Sequence, residues 1–192
     1  MMRSFLLGLA LIMPILLHGK ADARALHYAL DPAQSVVGFT IDMGQSPLNG
    51  QMPVTKASLT LDFDRASASR IAVTLSPAGA VMGLPFATEA MKSPEILDAR
   101  RFPEIRFEST KVTAEGEKAR VEGRITIRGV TRPIVLSARI FRPKGSAVGA
   151  RDRLTIRLTG TINRKDFGAV GYADMVGDLV TLDIKAHILL TD

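Results

Sequence analysis

The feature that most constrains the fold of this chain is a period of two in its apolar residues. The alternation is clearest in residues 121–128, where Val121, Gly123, Ile125 and Ile127 are separated by polar residues. A period of two gives a β-strand one buried face and one face in water. The same pattern recurs in residues 27–30, 37–41, 57–63, 71–75, 105–107, 134–141, 154–162 and 180–190. Roughly eight or nine short strands joined by turns predict an all-β sandwich or a closed barrel.

One stretch interrupts this pattern. Alternation disappears between Pro85 and Arg101, and Ser93 followed by Pro94 is typical of a helix start, with Ser93 as the N-cap and Pro94 in the first helical position. We therefore predict a short helical segment near residues 86–99. The segment is either a lid over one mouth of the barrel or an ordinary connection packed on the core.

The beginning of the chain differs from the rest. A basic residue precedes an apolar run at residues 5–17, which is shorter than the about 20 residues that a helix needs to cross a bilayer. This pattern is typical of a secretory signal peptide. We predict a signal peptide over residues 1–23, with cleavage after Ala23 or Ala25, and a single domain over residues 26–192.

The chain contains no cysteine, and its net charge is +6 at pH 7. An exported protein of this kind has no disulfides, so its stability must come from hydrogen-bonded sheet and packed apolar faces. Thiol chemistry and thiolate metal sites are excluded.

Residue patterns typical of catalysis are scarce. The predicted mature chain has two histidines, His27 and His187, which are too few and too isolated to indicate a metal site or a general base. Nucleophile elbows, glycine-rich phosphate loops and zinc-binding histidine pairs are missing from the sequence. We therefore expect no enzyme activity, no catalytic residues, no metal and no cofactor.

Five motifs follow one another in an order that one family shares. They are YALDPAQSVVGF at residues 28–39, SPEILDARRFPEIRFEST at 93–110, GRITIRGVTRP at 123–133, NRKDFG at 163–168 and VGDLV at 176–180. With these motifs the chain resembles the YceI-like family of lipid- and polyisoprenoid-binding, lipocalin-like proteins.

The resemblance implies an extended, eight-stranded antiparallel β-barrel that is exported to the periplasm. It also implies an elongated apolar cavity for a polyisoprenoid, an isoprenoid quinone or a fatty-acyl chain. Many members of the family carry polar residues, including histidines, where this chain has Asp42, Met43 and Ala90. The difference favours a more uniformly apolar ligand.

Apolar residues on the inward phases of the strands, in the interrupting segment and in the NRKDFG motif are the candidate ligand-binding residues. They are Phe39, Ile41, Phe63, Val73, Leu75, Phe86, Met91, Ile96, Phe102, Phe107, Ile125, Ile127 and Phe167. Strands of about nine residues, tilted by roughly 40°, give a barrel on the order of 23 Å tall, which suits an extended chain of about a dozen carbons or more.

The alternative function is an interaction module with a basic outer face that docks on a membrane surface or an acidic protein. The arginines on polar strand phases would form that face: Arg106, Arg124, Arg128, Arg139, Arg153 and Arg157. A lipid carrier that makes transient membrane contact would use the same face. Export and a low aromatic content argue against nucleic-acid binding, and the sequence leaves open whether the chain forms a homodimer.

Overall fold

The computed structural model describes residues 25–191, and this part of the chain forms eleven strands and one short α-helix. The strands are β1 (Leu26–Leu30), β2 (Val36–Met43), β3 (Ser46–Met52), β4 (Val54–Leu61), β5 (Arg70–Leu75), β6 (Val81–Met82), β7 (Ile105–Glu115), β8 (Lys118–Ile127), β9 (Val130–Phe141), β10 (Arg153–Asn163) and β11 (Val176–Leu190). The helix is α1 (Pro85–Lys92), and short 3₁₀ turns occupy Ala66–Ala68, Pro77–Gly79 and Arg164–Phe167. The predicted signal peptide, residues 1–23, lies outside the described residues.

Three pairs of strands run end to end and act as single walls. β1 and β2 form the first wall, and both pair with β11. β4 and β3 form the second wall, with β4 paired to β1 and β3 paired to β2. β5 and β6 form the third wall, with β5 paired to β4 and β6 paired to β3. The other walls follow in the order β7, β8, β9, β10 and β11, every neighbour antiparallel. Pairing of Tyr28 with Leu190 joins β1 to β11 and closes the sheet. The predicted eight-stranded antiparallel barrel is confirmed, and the sandwich is excluded.

The breaks within these walls have local causes. Pro53 separates β3 from β4, because proline has no N–H to donate to the ladder. Between β1 and β2 the backbone turns, and a carboxylate oxygen of Asp31 accepts hydrogen bonds from the backbone N–H groups of Ala33 and Gln34 at 3.0 and 3.3 Å. Such breaks let the long walls bend around the barrel.

The interior phases of the strands carry the core. Val121, Ile125 and Ile127 of β8 are buried, as the alternation in the sequence predicts. A larger group of buried side chains includes these residues and Phe167, and a smaller group gathers around Tyr28. The core of the barrel therefore consists of two groups of packed side chains.

The helix lies earlier in the chain than predicted. It begins at Pro85 and ends at Lys92, so Ser93 is the residue that ends the helix rather than its N-cap. Pro94 explains the difference, because the residue before a proline is pushed out of the helical region, and Ser93 has an extended ψ of 163°. Within residues 25–191 no helix is long and apolar enough to span a bilayer.

Candidate functional site

The interior of the barrel contains two neighbouring cavities. The helix-side cavity, of about 220 Å³, lies among α1, residues 94–97 and residues 169–175. The turn-side cavity, of about 320 Å³, extends to the β7–β8 turn at residues 116–118. The walls common to both are Val37, Leu75, Ile105, Ile125 and Leu182. We call this shared interior the lumen.

Two phenylalanines leave the lumen open because they lie against glycines of neighbouring strands. A Cβ built on Gly50 would be 2.2 Å from the Phe39 ring, and one built on Gly123 would be 2.5 Å from the Phe107 ring. Side chains at positions 50 and 123 would therefore occupy space that the rings now fill. Each glycine lets a large aromatic residue lie along the wall instead of across the lumen.

A buried arginine fixes the loop that forms one side of the helix-side cavity. The Arg164 guanidinium donates hydrogen bonds to the backbone carbonyls of Gly177, Ala169, Gly171 and Val176, at 2.9, 2.8, 2.6 and 3.0 Å. These carbonyls bracket the loop between the last 3₁₀ turn and β11. Charge-assisted hydrogen bonds to several carbonyls hold the loop in one conformation.

A second arginine holds the segment after α1. Arg128, in the β8–β9 turn, donates to the carbonyls of Pro94 and Ile96, both at 2.7 Å. The backbone N–H of Gly171 donates to the Glu95 carbonyl at 3.0 Å, which joins this segment to the Arg164 loop. Together the two segments line one end of the barrel at the helix-side cavity, and we call residues 85–101 the lid.

The helix-side cavity reaches the surface between apolar side chains. Phe86, Tyr172 and Met175 line this cavity and are nevertheless 63, 44 and 57% exposed. Residues that belong to both the cavity wall and the surface mark its mouth.

The model of the YceI-like domain matches residues 28–188.

This chain belongs to the YceI-like family.

Relatives and solved structures agree with this assignment. The UPF0312 protein plu2095 of Photorhabdus laumondii is 31% identical over 170 residues, which cover 87% of each chain. The crystal structure of Burkholderia cenocepacia BcnA matches with a TM-score of 0.74 at 20% identity, over 83% of this chain and 99% of that one. A polyisoprenoid binding domain from Saccharophagus degradans, implicated in plant cell wall breakdown, matches with a TM-score of 0.63 at 12% identity. The match covers 86% of this chain and 99% of that one. The solved structures establish the likeness of fold.

The YceI-like barrel brings together twelve of the thirteen residues predicted from sequence. The helix-side cavity is lined by Phe39, Ile41, Leu75, Phe86, Met91, Ile96, Ile125, Ile127 and Phe167. The turn-side cavity is lined by Phe63, Val73 and Phe107, together with Leu75 and Ile125 again. Their role in holding a ligand stays a prediction.

Phe102 is the exception, and its predicted place in the cavity is corrected. Its ring packs against Gly129, where a built Cβ would be 3.1 Å away. The guanidinium carbons of Arg101 and Arg128 lie 5.2 and 6.0 Å from the centre of the ring. Phe102 therefore packs on the β8–β9 turn, outside both cavities, because the chain has left the lid and has not yet entered β7.

Several residues that line the helix-side cavity could not be found by alternation. The methionines Met43, Met52, Met82 and Met175 line the helix-side cavity, but they lie at strand ends, in a two-residue strand or in a loop. Flexible thioether side chains adapt to irregular space. The sequence also gives no sign that Arg164 anchors the loop before β11, because a charged residue in a polar motif is ordinarily exposed to solvent.

The predicted basic face is only partly available. Arg106 pairs with Glu104, and Arg157 pairs with Asp183 at 2.7 Å. The hydrogen bond from Arg157 lowers the pKa of Asp183, and Asp183 raises the pKa of Arg157 in turn. Since Arg128 is bound to carbonyls of the lid, three of the six arginines already have partners within the chain.

The two described histidines and Tyr28 make hydrogen bonds with neutral partners. His27 and His187 contact the threonine hydroxyls of Thr60 and Thr155 at 3.2 and 3.1 Å. Burial raises the pKa of Tyr28, whose hydroxyl donates to the Arg151 carbonyl at 2.8 Å. Among residues 25–191, no three His, Asp or Glu side chains are grouped so that they could hold a metal ion.

Proposed function

We propose that this chain is an exported, periplasmic binding protein that carries a long apolar lipid inside its barrel and catalyses no reaction. The observation that carries the proposal is the lumen, whose two apolar cavities are neighbours and share five wall residues. The helix-side cavity is lined by apolar side chains, apart from Arg164, whose guanidinium is engaged with backbone carbonyls. A polyisoprenoid, an isoprenoid quinone or a fatty-acyl chain fits this chemistry.

The length of the lumen supports a long, unbranched or prenyl chain. Lys118 at the start of β8 lines the turn-side cavity, and Ile127 at its end lines the helix-side cavity. The ten residues of β8 rise roughly 33 Å along the strand, which is about 25 Å along the barrel axis when the strands are tilted by roughly 40°. Burial of such a chain contributes about 0.8 kcal/mol per methylene before the entropy of binding is subtracted.

The family supports the same class of ligand. The Saccharophagus degradans neighbour is described as a polyisoprenoid binding domain, and its fold extends over most of this chain. Because its identity is 12%, the side chains that meet its ligand are not transferred here. The proposal for this protein rests on its own lumen.

The alternative, an interaction module that docks through basic side chains, has weaker support. Half of the predicted basic face is engaged in contacts within the chain, as described for Arg106, Arg128 and Arg157. Exposed arginines such as Arg124 remain available for transient contact with a membrane surface. Such contact would assist a carrier rather than replace its function, and a homodimer is compatible with either role.

Extraction of the purified mature protein with organic solvent, followed by mass spectrometry, tests the proposal. We expect a prenyl or long-chain acyl species in about stoichiometric amount. Ile127→Asp places a carboxyl group in the helix-side cavity and should abolish retention, because a bound apolar chain would strip water from a carboxylate that has no partner. Arg124→Ala, on the exposed face of the same strand, is the matched control and should retain the ligand.

Two results would contradict the proposal. One is a wild-type protein that contains no lipid and takes up none from solution. The other is equal retention by the two variants, which would place the lipid outside the lumen. Export is tested separately, by fractionating the producing cells and sequencing the N-terminus of the periplasmic protein.

A further inference from the structure

The mouth of the helix-side cavity is framed by segments that backbone hydrogen bonds join to one another. The N–H of Gly83, just before α1, donates to the Asn49 carbonyl at 3.0 Å, and the N–H of Gly44 donates to the Met175 carbonyl at 3.0 Å. The bond from Gly171 described above adds the segment after α1. Each of these segments contributes side chains to the cavity wall. We call three of them the collar: residues 43–49, 81–86 and 170–175.

The collar exposes large apolar side chains that the fold and the cavity do not use. Six of its residues are exposed, by 36 to 63%: Val81, Leu84, Phe86, Val170, Tyr172 and Met175. The last residue of each pair of neighbouring segments lines the cavity, but Val81, Leu84 and Val170 line neither cavity. Neither core packing nor contact with an enclosed lipid therefore explains these three side chains. Exposed apolar groups gathered in one place mark a surface that meets a partner.

The collar also carries almost no charge. Asp174 is its one charged residue, although 23% of the chain is charged. The outer walls of the barrel differ, since exposed arginines such as Arg124 and Arg139 stand on their outward phases. An uncharged apolar surface offers no ion pairs to a charged protein, but it matches the acyl region of a bilayer. Tyr172 suits the same setting, because tyrosine is enriched where a membrane meets water.

We infer that the collar docks on a lipid bilayer and inserts its exposed apolar side chains, so that a lipid passes between the bilayer and the lumen without crossing water. This inference rests on the proposed function, since it gives the route by which the cargo enters and leaves. Each methylene that a departing chain exposes to water slows its release by about fourfold. Contact between the mouth and a bilayer removes this barrier. The docking surface is distinct from the basic outer face.

Transfer of cis-parinaric acid, a fluorescent fatty acid, from the protein to phosphatidylcholine vesicles tests the inference. The vesicles contain a lipid that quenches the fluorescence by energy transfer, so the loss of signal gives the transfer rate. If the collar must meet the bilayer, about tenfold more vesicles should give about tenfold faster transfer. Release into water before uptake would instead give a rate that does not depend on the vesicle concentration.

The double variant Leu84→Ser/Val170→Ser makes the collar more polar without touching the cavities. Its affinity for cis-parinaric acid in solution should equal that of the wild-type protein, whereas its transfer to vesicles should be about tenfold slower. Serine is also a favoured N-cap residue, and Leu84 occupies the N-cap of α1. Val135→Ser is the matched control, because Val135 is a 42% exposed valine of β9 outside the collar; its transfer rate should not change.

The outcomes separate the two proposals. If the wild-type protein does not bind cis-parinaric acid, the carrier function fails and the docking inference fails with it. If it binds the acid but transfers it at a rate independent of vesicle concentration, only the docking inference is overturned, whatever the variants do. Equal rates in the double variant and the control would overturn it too. So would transfer that requires anionic lipid and is lost in Arg124→Ala, or a wild-type dimer that the double variant converts to monomer.

Discussion

Substitution of Gly50 by alanine should fill part of the lumen without adding a large side chain. A Cβ at this position would meet three ring atoms of Phe39, at 2.2, 2.6 and 2.9 Å. Carbon atoms in contact are normally about 3.5–4.0 Å apart, so the ring must move by roughly 1.5 Å. Since Phe39 lines the helix-side cavity, the rotation that relieves the contact carries the ring into that cavity.

The magnitude follows from the volume lost to the ligand. The helix-side cavity has about 220 Å³, and displacement of the ring excludes about one or two methylenes of a bound chain. At about 0.8 kcal/mol per methylene, the affinity should fall by roughly 4- to 15-fold. Overpacking should also lower the free energy of unfolding by about 1 kcal/mol, after the smaller gain from a less flexible unfolded chain.

The assay is competition between 1-hexadecanol and a fluorescent apolar probe, N-phenyl-1-naphthylamine, with urea denaturation to measure stability. Gly83→Ala is the matched control, because the nearest atoms to its Cβ, Asn49 O and Leu48 Cδ1, are both 3.8 Å away. Combining Gly50→Ala with Phe39→Leu should restore most of the affinity. Wild-type affinity in Gly50→Ala alone would refute the idea that glycine keeps the ring out of the lumen.

Three further outcomes are expected. Arg164→Met should lower the free energy of unfolding by about 3 kcal/mol and speed hydrogen exchange in residues 168–177, because several carbonyls lose a charged donor. In the control Lys165→Met, urea denaturation should show a loss of unfolding free energy below about 1 kcal/mol. Equal losses in the two variants would contradict the anchoring role of Arg164. In a Tyr172→Phe background, absorbance at 295 nm should show Tyr28 titrating above the ordinary tyrosine pKa of about 10, since burial favours its neutral form. Stability from this raised pKa is fully present below pH about 10 and is lost as the pH rises through the folded pKa; a melting temperature insensitive to pH in this range would contradict it.

Regular alternation was sufficient to predict the walls of the barrel. Val121, Ile125 and Ile127 are buried in β8 as expected, because the period of a strand decides which face each side chain occupies. Alternation by itself did not distinguish a sandwich from a barrel. That choice depends on whether β1 pairs with β11. The pair Tyr28 and Leu190 shows that this contact joins residues more than 150 positions apart in the sequence.

Local signals were less reliable where the chain leaves the sheet. Ser93 and Pro94 have the residue types of a helix start, yet they end the helix, because Pro85 offers an equally good start and α1 packs its Met91 side chain into the core. Phe102 is apolar and aromatic, as a cavity residue is expected to be, but it packs on the β8–β9 turn. Short irregular segments are positioned by the surfaces that they cover, and those surfaces belong to distant parts of the chain.

The sequence by itself determined the secondary structure class, the inward phases of the strands and twelve of the residues that line the lumen. Only the tertiary structure decided that the lumen stays open, since this depends on Phe39 lying against Gly50 and Phe107 against Gly123 across neighbouring strands. It also decided that Arg164 and Asp62 are buried, although the sequence places both in polar surroundings. The physical reason is that periodicity reports only which face of a strand a residue occupies, whereas open space and buried charge depend on what the other walls of the barrel place opposite it.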